Sequence, residues 1–448
     1  MRPAATRTPA LLAAPARIAT PALLAALALF AAPAPAAAQA WLKWDVAARP
    51  MGMGGAAAAL DDAASAAWYD PAGIATLVGT RISAGGSLSL RSGEVDAVGL
   101  GEFDRESETL ADGYLHVVHP LAADLTGGLS VVSPWEISTA WDDPETFPGR
   151  FHAFRTRLRS LDVSPVLAWR ARPDLAVAAG VHVAWARLEL GRFEQDPDLS
   201  ALGGLGPIAL ARSDVEMDGT GVGWVAGVHW RPIPAVALAA HARGPVGLDL
   251  SGVVDFTGTA PASLRDFRLP TGEETVGELL DATYVDQAAR TRIELPALAA
   301  AGVAWDPFDR VRLAATVQWA GWGAVDDLEL AFADTILADA IPLDYENAWS
   351  LRLGAEVRHS PALFVRVGFA HEESPAPTVG VGPILPDADR NALTAGLGIV
   401  RGEFAFDVAW RVAFLEDREG VALPESVDVD GVYGGTEHRL SFGVSRDL

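Results

Sequence analysis

From residue 79 to the C-terminus, large apolar residues alternate with small or charged ones. Between Gly402 and Phe414, the residues Phe404, Phe406, Val408, Trp410, Val412 and Phe414 take every second position, with Ala405, Asp407, Ala409, Arg411 and Ala413 between them. A period of two sustained this long gives a β-strand with one greasy face and one small or polar face. The pattern returns at Trp349, Leu351, Leu353, Ala355 and Val357, at Leu363, Val365, Val367 and Phe369, and at Val311, Leu313, Ala315, Val317 and Trp319. Followed through the chain it predicts fourteen strands, at 79–92, 110–119, 124–133, 152–171, 174–190, 212–231, 234–256, 290–306, 309–332, 347–360, 361–373, 389–400, 402–414 and 434–447.

Their connections alternate between short and long. Arg172-Pro173-Asp174, Arg231 to Pro234, Trp305 to Asp309 and His359-Ser360-Pro361 are short turns, whereas 93–109, 134–151, 191–211, 257–289, 333–346, 374–388 and 415–433 are long and acidic or rich in Pro and Gly. An up-and-down barrel demands this order; a secreted β-sandwich, the other architecture that alternates, does not. The strands are long, even in number, and carry Gly, Ala, Ser and Arg opposite the large apolar residues, as a transmembrane barrel with a crowded or wet interior requires. Trp169, Trp185, Trp230, Trp305, Trp322 and Trp349 fall near strand ends, where an interfacial aromatic girdle would sit.

Composition narrows the picture. Arg2, Arg7 and Arg17 precede an apolar run from Ile18 to Ala32 and an Ala36-Ala37-Ala38 cleavage site, so residues 1–38 read as a secretory signal peptide. No later stretch reaches 18 apolar residues, which excludes membrane-spanning helices. With 34 basic against 58 acidic side chains the charge is -24, and nucleic acid is excluded as a partner because phosphates need a basic patch. The absence of cysteine excludes thiolate catalysis and Cys-ligated metals.

Residues 47–74 combine a Gly-rich turn around Gly52, Gly54 and Gly55 with an Ala-rich stretch, Ala56 to Trp68, expected to be helical, and a break at Asp70-Pro71-Ala72-Gly73. This segment resembles the N-terminal hatch of the FadL/TodX family of outer-membrane transporters for hydrophobic compounds, with Asp70 where that family's motif has Asn. Ser133-Pro134-Trp135, Gly149-Arg150-Phe151, Ser164 to Trp169, Trp319-Ala320-Gly321-Trp322, Leu351 to Glu356 and Leu385 to Arg390 extend the resemblance in order through the chain. It implies an all-β fold, a 14-stranded antiparallel barrel over 79–448 with a small helical hatch over 39–78, in the outer membrane of a Gram-negative cell. It also implies passive uptake of long-chain fatty acids or aromatic hydrocarbons, captured outside and released sideways past the hatch. The expected partners are the hydrophobic ligand, outer-membrane lipid and the barrel-assembly machinery, although the chain ends in Leu448 with Phe442 the nearest aromatic. A secretion shuttle or surface-protein anchor on the same fold is the alternative function.

Four arginines, Arg157, Arg352, Arg366 and Arg411, fall on the small-residue face of their strands and are expected in the lumen, because facing lipid would cost about 2–4 kcal/mol near the midplane. They either pair with acids such as Glu356 and Asp407 or hold the carboxylate of an amphipathic ligand. Gly127, Gly128 and Pro134 are candidates for a kink that opens the wall, since Gly and Pro interrupt pairing. No hydrolase motif is present, no cofactor or metal is expected, and the protein reads as no enzyme. Gly52-x-Gly54-Gly55 follows no strand and so is no dinucleotide loop, and Asp428-x-Asp430-Gly431 lacks the later glutamate of an EF-hand loop.

Overall fold

The computed structural model describes residues 41–196, 207–268, 274–333, 339–377, 381–420 and 429–448; the signal-peptide reading of 1–38 lies outside them. Fourteen strands close into one antiparallel barrel. They are β1 (Arg81–Ala97), β2 (Glu108–Ala122), β3 (Leu125–Val132 and Glu136–Ala140), β4 (Arg155–Arg172), β5 (Leu175–Glu194), β6 (Ala211–Ile233) and β7 (Val236–Arg243 and Val246–Gly258). The second half comprises β8 (Gln287–Leu295 and Leu298–Phe308), β9 (Val311–Ala320 and Asp327–Phe332), β10 (Asp339–Pro342 and Ala348–Arg358), β11 (Leu363–Glu372), β12 (Arg390–Arg401), β13 (Phe404–Gly420) and β14 (Gly431–Asp447). Closure is made by β14 on β1, from Arg81 opposite Asp447 to Ala97 opposite Gly431.

The alternation does what a bilayer requires. On β13, Phe404, Phe406, Val408, Trp410 and Phe414 are exposed on the outer face, while Ala409, Arg411 and Ala413 are buried inside. Trp169, Trp185, Trp230 and Trp349 are exposed as well. Trp322 departs from the expected girdle. It is fully buried in a short 3-10 turn between the halves of β9, packed edge-on against Trp41 at 5.3 Å and Trp135 at 5.8 Å. No helix among the described residues is long and apolar enough to cross a membrane, and the strands make the crossing.

Two local expectations are corrected. The connection 134–151 contains a strand, Glu136–Ala140, paired with β4. Among the described residues, α-helix in the hatch is confined to α1 (Ala48–Gly52) and α2 (Ala66–Tyr69), with a 3-10 turn at Gly73–Thr76, so Ala56 to Ser65 is not helical. A run this short nucleates poorly alone. Here it bends to deliver Asp61 to Arg231 and Asp62 to Arg312 of the wall.

Candidate functional site

The hatch, 41–78, fills the barrel, and its turn is built for close approach. Gly54 and Gly55 have φ of 67° and 74°, open to glycine at little cost. The turn lies against wall glycines: a Cβ on Gly368 would stand 2.2 Å from the Gly54 nitrogen, and one on Gly354 2.4 Å from the Met53 oxygen. Thr394 locks the contact, accepting from the Gly54 N–H at 3.0 Å and donating to the Gly52 carbonyl at 3.2 Å.

Asp70 carries the second attachment. Its Oδ1 accepts the Gly73 N–H at 3.0 Å, closing the Asp-Pro-Ala-Gly turn, and its Oδ2 accepts from His229 Nδ1 of β6 at 2.6 Å. The other ring nitrogen stands 3.3 Å from Asp61, an ion-pair contact without good hydrogen-bond alignment. A ring set between two carboxylates serves both only as imidazolium. Arg231 Nη2 reaches Asp61 at 2.7 Å. Burial pushes the Asp70 carboxyl up from its usual range, and the His229 bond does not fully reverse that. At Asp61 burial acts in the same sense but His229 and Arg231 outweigh it, holding the group low.

A third attachment runs along β9 and β10. Asp62 joins Arg49 at 2.8 Å to Arg312 of β9, and Arg49 joins Glu356 of β10 at 3.0 Å. Arg366 continues the chain to Glu356 and Asp407, both at 2.6 Å. Beside these residues lies a cavity of about 260 Å³ lined by Arg49, Asp62, Arg81 and Glu356.

Of the four arginines singled out in sequence, three face the lumen and all four are paired. Arg352 meets Glu372 at 2.8 Å, and Arg411 meets Glu372 at 2.7 Å and hatch Asp45 at 3.2 Å. Arg157 corrects the expectation. It alternates with buried Thr156 and Leu158, so it lies on the outward side of β4, paired with Glu108 and Glu189. Sequence reading missed His229, Arg231, Arg312 and Arg243; only their placement on alternating strands marked them.

The wall is interrupted at β3. Leu125–Val132 pairs with both neighbours, but Glu136–Ala140 pairs only with β4, leaving the outer half of β2 without a partner there. Register across the break shifts by one, from Val132 opposite Asp162 to Glu136 opposite Arg159. Pro134 sits in the break. Gly127 and Gly128, expected to make it, are in regular pairing opposite Leu167 and Val166. Gly128 instead makes room for the hatch, since a Cβ there would stand 2.7 Å from Ile74. Residues 41–43 stitch the gap: Lys43 N–H donates to the Pro134 carbonyl at 2.6 Å, and Glu136 N–H to that of Trp41 at 2.9 Å. Lys43 Nζ bridges Asp112 of β2 and Glu136 of β3.

Three exposed acids, Glu94 near the end of β1 with Glu102 and Asp104 just after it, form the one potential metal-ligand cluster among the described residues. Asp428 of the acidic loop lies outside them.

A closed barrel plugged by its own N-terminal segment and interrupted in one strand defines the class: an outer-membrane barrel with a luminal hatch. The family model for the outer membrane protein transport proteins (OMPP1/FadL/TodX) matches residues 27–419, and the chain belongs to that family. A long-chain fatty acid transport protein of Salmonella typhi is 23% identical over 304 residues, 63% of this chain and 64% of that protein, so the alignment spans a little under two thirds of its length. Among solved structures, a Pseudomonas aeruginosa FadL homologue superposes with a TM-score of 0.80 at 19% identity, covering 91% of this chain and all of that one. The Ralstonia pickettii toluene transporter TbuX gives 0.66 at 17%, with 90% and 98% covered. The Pseudomonas putida toluene transporter TodX gives 0.66 at 16%, with 92% and 99% covered.

Proposed function

We propose that the protein admits hydrophobic small molecules passively through the outer membrane and releases them sideways through the β3 break. The observation that carries this reading is the contrast between the two ways out. Downward, the hatch is tied to β6 and β9 by Asp61, Asp62 and Asp70. Sideways, no strand ladder joins β2 to Glu136–Ala140 among the described residues, and the gap is filled by residues 41–43, by the Lys43 bridge, and by side-chain contacts such as Arg91 to Glu136 and Ser138 to Glu108. A water-filled pore solvates such ligands poorly, whereas a break in the wall lets them pass from a greasy interior into lipid. The relatives named for fatty acids and for toluene support the ligand class. The wall arginines with carboxylate partners serve to hold the hatch and to balance charge.

The test is uptake by liposomes holding the purified protein. Oleate or toluene entering faster than into empty liposomes is the expected result. No uptake of either, with co-purification of a secreted protein, would favour the anchoring function.

A further inference from the structure

β6 and β7 are joined at both ends and parted in the middle. Their ladder runs from Ala211 opposite Gly258 to Asp218 opposite Ser251, and it resumes only at Val225 opposite Arg243. Between these stretches, residues 219–224 of β6 and 244–250 of β7 share no register, and β7 has one residue more. Glycines of β6 make room there for the neighbouring strand: a Cβ on Gly219 would meet the Asp249 carbonyl, one on Gly221 the Gly247 carbonyl and Val246, and one on Gly223 His182 and Val246. The outer half of β7 therefore laps over the inside of β6 instead of continuing beside it. Next to Gly244-Pro245, β8 breaks as well, at Pro296-Ala297, so Val246–Val254 and Gln287–Leu295 form one paired piece jointed at two prolines that have no N–H to give. Gly244 pins the lap at its foot, its N–H donating to the Trp224 carbonyl at 2.8 Å and its carbonyl lying 3.3 Å from His182 Nε2.

The lap lies at lipid depth, in the half of β6 nearer the external loops. On its outer side Val222 and Trp224 are 65% and 52% exposed, and on its inner side Val246 and Leu248 are buried in the apolar core that also holds Trp41 and Trp135. Strand backbone at this depth does without a ladder only where protein covers it. Here the cover is contact between glycine, valine and backbone, which slides without breaking ladder bonds. We infer that the lap is a second passage in the wall, through which neutral apolar molecules exchange between the outer half of the bilayer and the lumen. Charge decides the ligand class. Asp249 stands at the outer edge, paired with Arg292 at 2.9 Å, and Asp162 at the inner edge, paired with His182 at 2.8 Å. Both cations beside the lap are thus already matched by carboxylates, and a ligand carboxylate would cross it with no partner, which burial penalises heavily. The lap therefore admits hydrocarbons and excludes fatty acids, which are left to the β3 break. This rests on the uptake reading and divides its ligands between two passages.

The test shuts each passage separately in a chain that has no cysteine of its own. Leu42→Cys with Trp135→Cys, at an isolated bridge, pins the β3 break on oxidation, and Gly221→Cys with Val246→Cys pins the lap, where a Gly221 Cβ would stand 2.5 Å from Val246 Cγ1. Uptake of toluene and of oleate is followed in liposomes holding each protein. With the β3 break pinned, oleate uptake should fall to the rate of empty liposomes while toluene uptake stays above it, and reduction should restore oleate. With the lap pinned as well, toluene uptake should also fall to the empty-liposome rate. Toluene uptake lost on pinning the β3 break alone, or kept with both pinned, would overturn the second passage, and oleate uptake that survives the pinned break would overturn the division of ligands. The first comparison changes nothing at the lap, so it decides even if Gly221→Cys does not fold. Wild-type uptake of neither ligand would overturn the uptake reading, whereas toluene uptake that depends on the β3 break alone would overturn only the lap.

Discussion

Replacing Asp70 by alanine tests what holds the hatch. The carboxylate is 1% exposed and accepts two hydrogen bonds, from Gly73 N–H at 3.0 Å and from His229 Nδ1 at 2.6 Å. Hydrogen bonds to a charged group contribute about 1.5–3 kcal/mol each. Removing one member of a buried pair approaches about 3–5 kcal/mol because the other charge is stranded. His229 keeps Asp61 on its far side, so the total falls near the lower end, about 2–4 kcal/mol of hatch docking. That is a rise of roughly 30- to 700-fold in the undocked population. Hydrogen exchange of the amides of 56–77, measured in nanodiscs where the barrel stays folded, reads that population directly. Asp70→Asn keeps an acceptor for Gly73 and loses only the charge, so its effect should be about half as large in free energy. Hatch exchange within twofold of wild type in Asp70→Ala, with the barrel intact by its heat-modifiable migration, would refute the reasoning.

Three further outcomes are expected. Because the chain has no cysteine, Leu42→Cys with Trp135→Cys, placed at an isolated antiparallel bridge, can form one disulfide that pins 41–43 in the break; oxidation should abolish oleate uptake and reduction restore it, and undiminished uptake by the oxidised form would exclude this exit. Gly128→Ala should loosen the hatch by about 1–3 kcal/mol, since its Cβ would meet Ile74 at 2.7 Å and Val166 at 2.9 Å, while Gly127→Ala, meeting only the end of Leu121 at 3.2 Å, should be nearly silent to limited proteolysis of the hatch. Burial pushes Glu373, which accepts the Trp349 N–H in the loop after β11, up to about 7. A carboxyl raised in the folded state contributes stability below its usual value and loses it as pH rises through 7; the unfolding temperature should therefore fall between pH 5 and 8 in wild type and stay flatter in Glu373→Gln.

The sequence by itself determined the strands, because alternation is local. Phe404 to Phe414 can bury or expose their rings on one side only, whatever the rest of the chain does, and short turns then fix the antiparallel order. It also marked the hatch, since Gly54 and the Asp70 turn carry their conformations in their residue types. Which groups meet inside the closed cylinder was decided only by the tertiary structure. His229 lies 159 residues from Asp70, and Arg312 lies 250 from Asp62. Their meeting depends on the register of every strand between and on closure of β14 on β1. Arg157 shows the limit plainly. Its place among small residues and the cost of a charge facing lipid put it in the lumen, but near the β3 break the wall opens toward Glu108, and the outward side of β4 there is no longer a lipid-facing one. Gly128 and Trp322 fail in the same way, one giving space to the hatch and the other turning into an aromatic core. A glycine or tryptophan declares its shape in sequence, and only its neighbours declare what that shape accommodates.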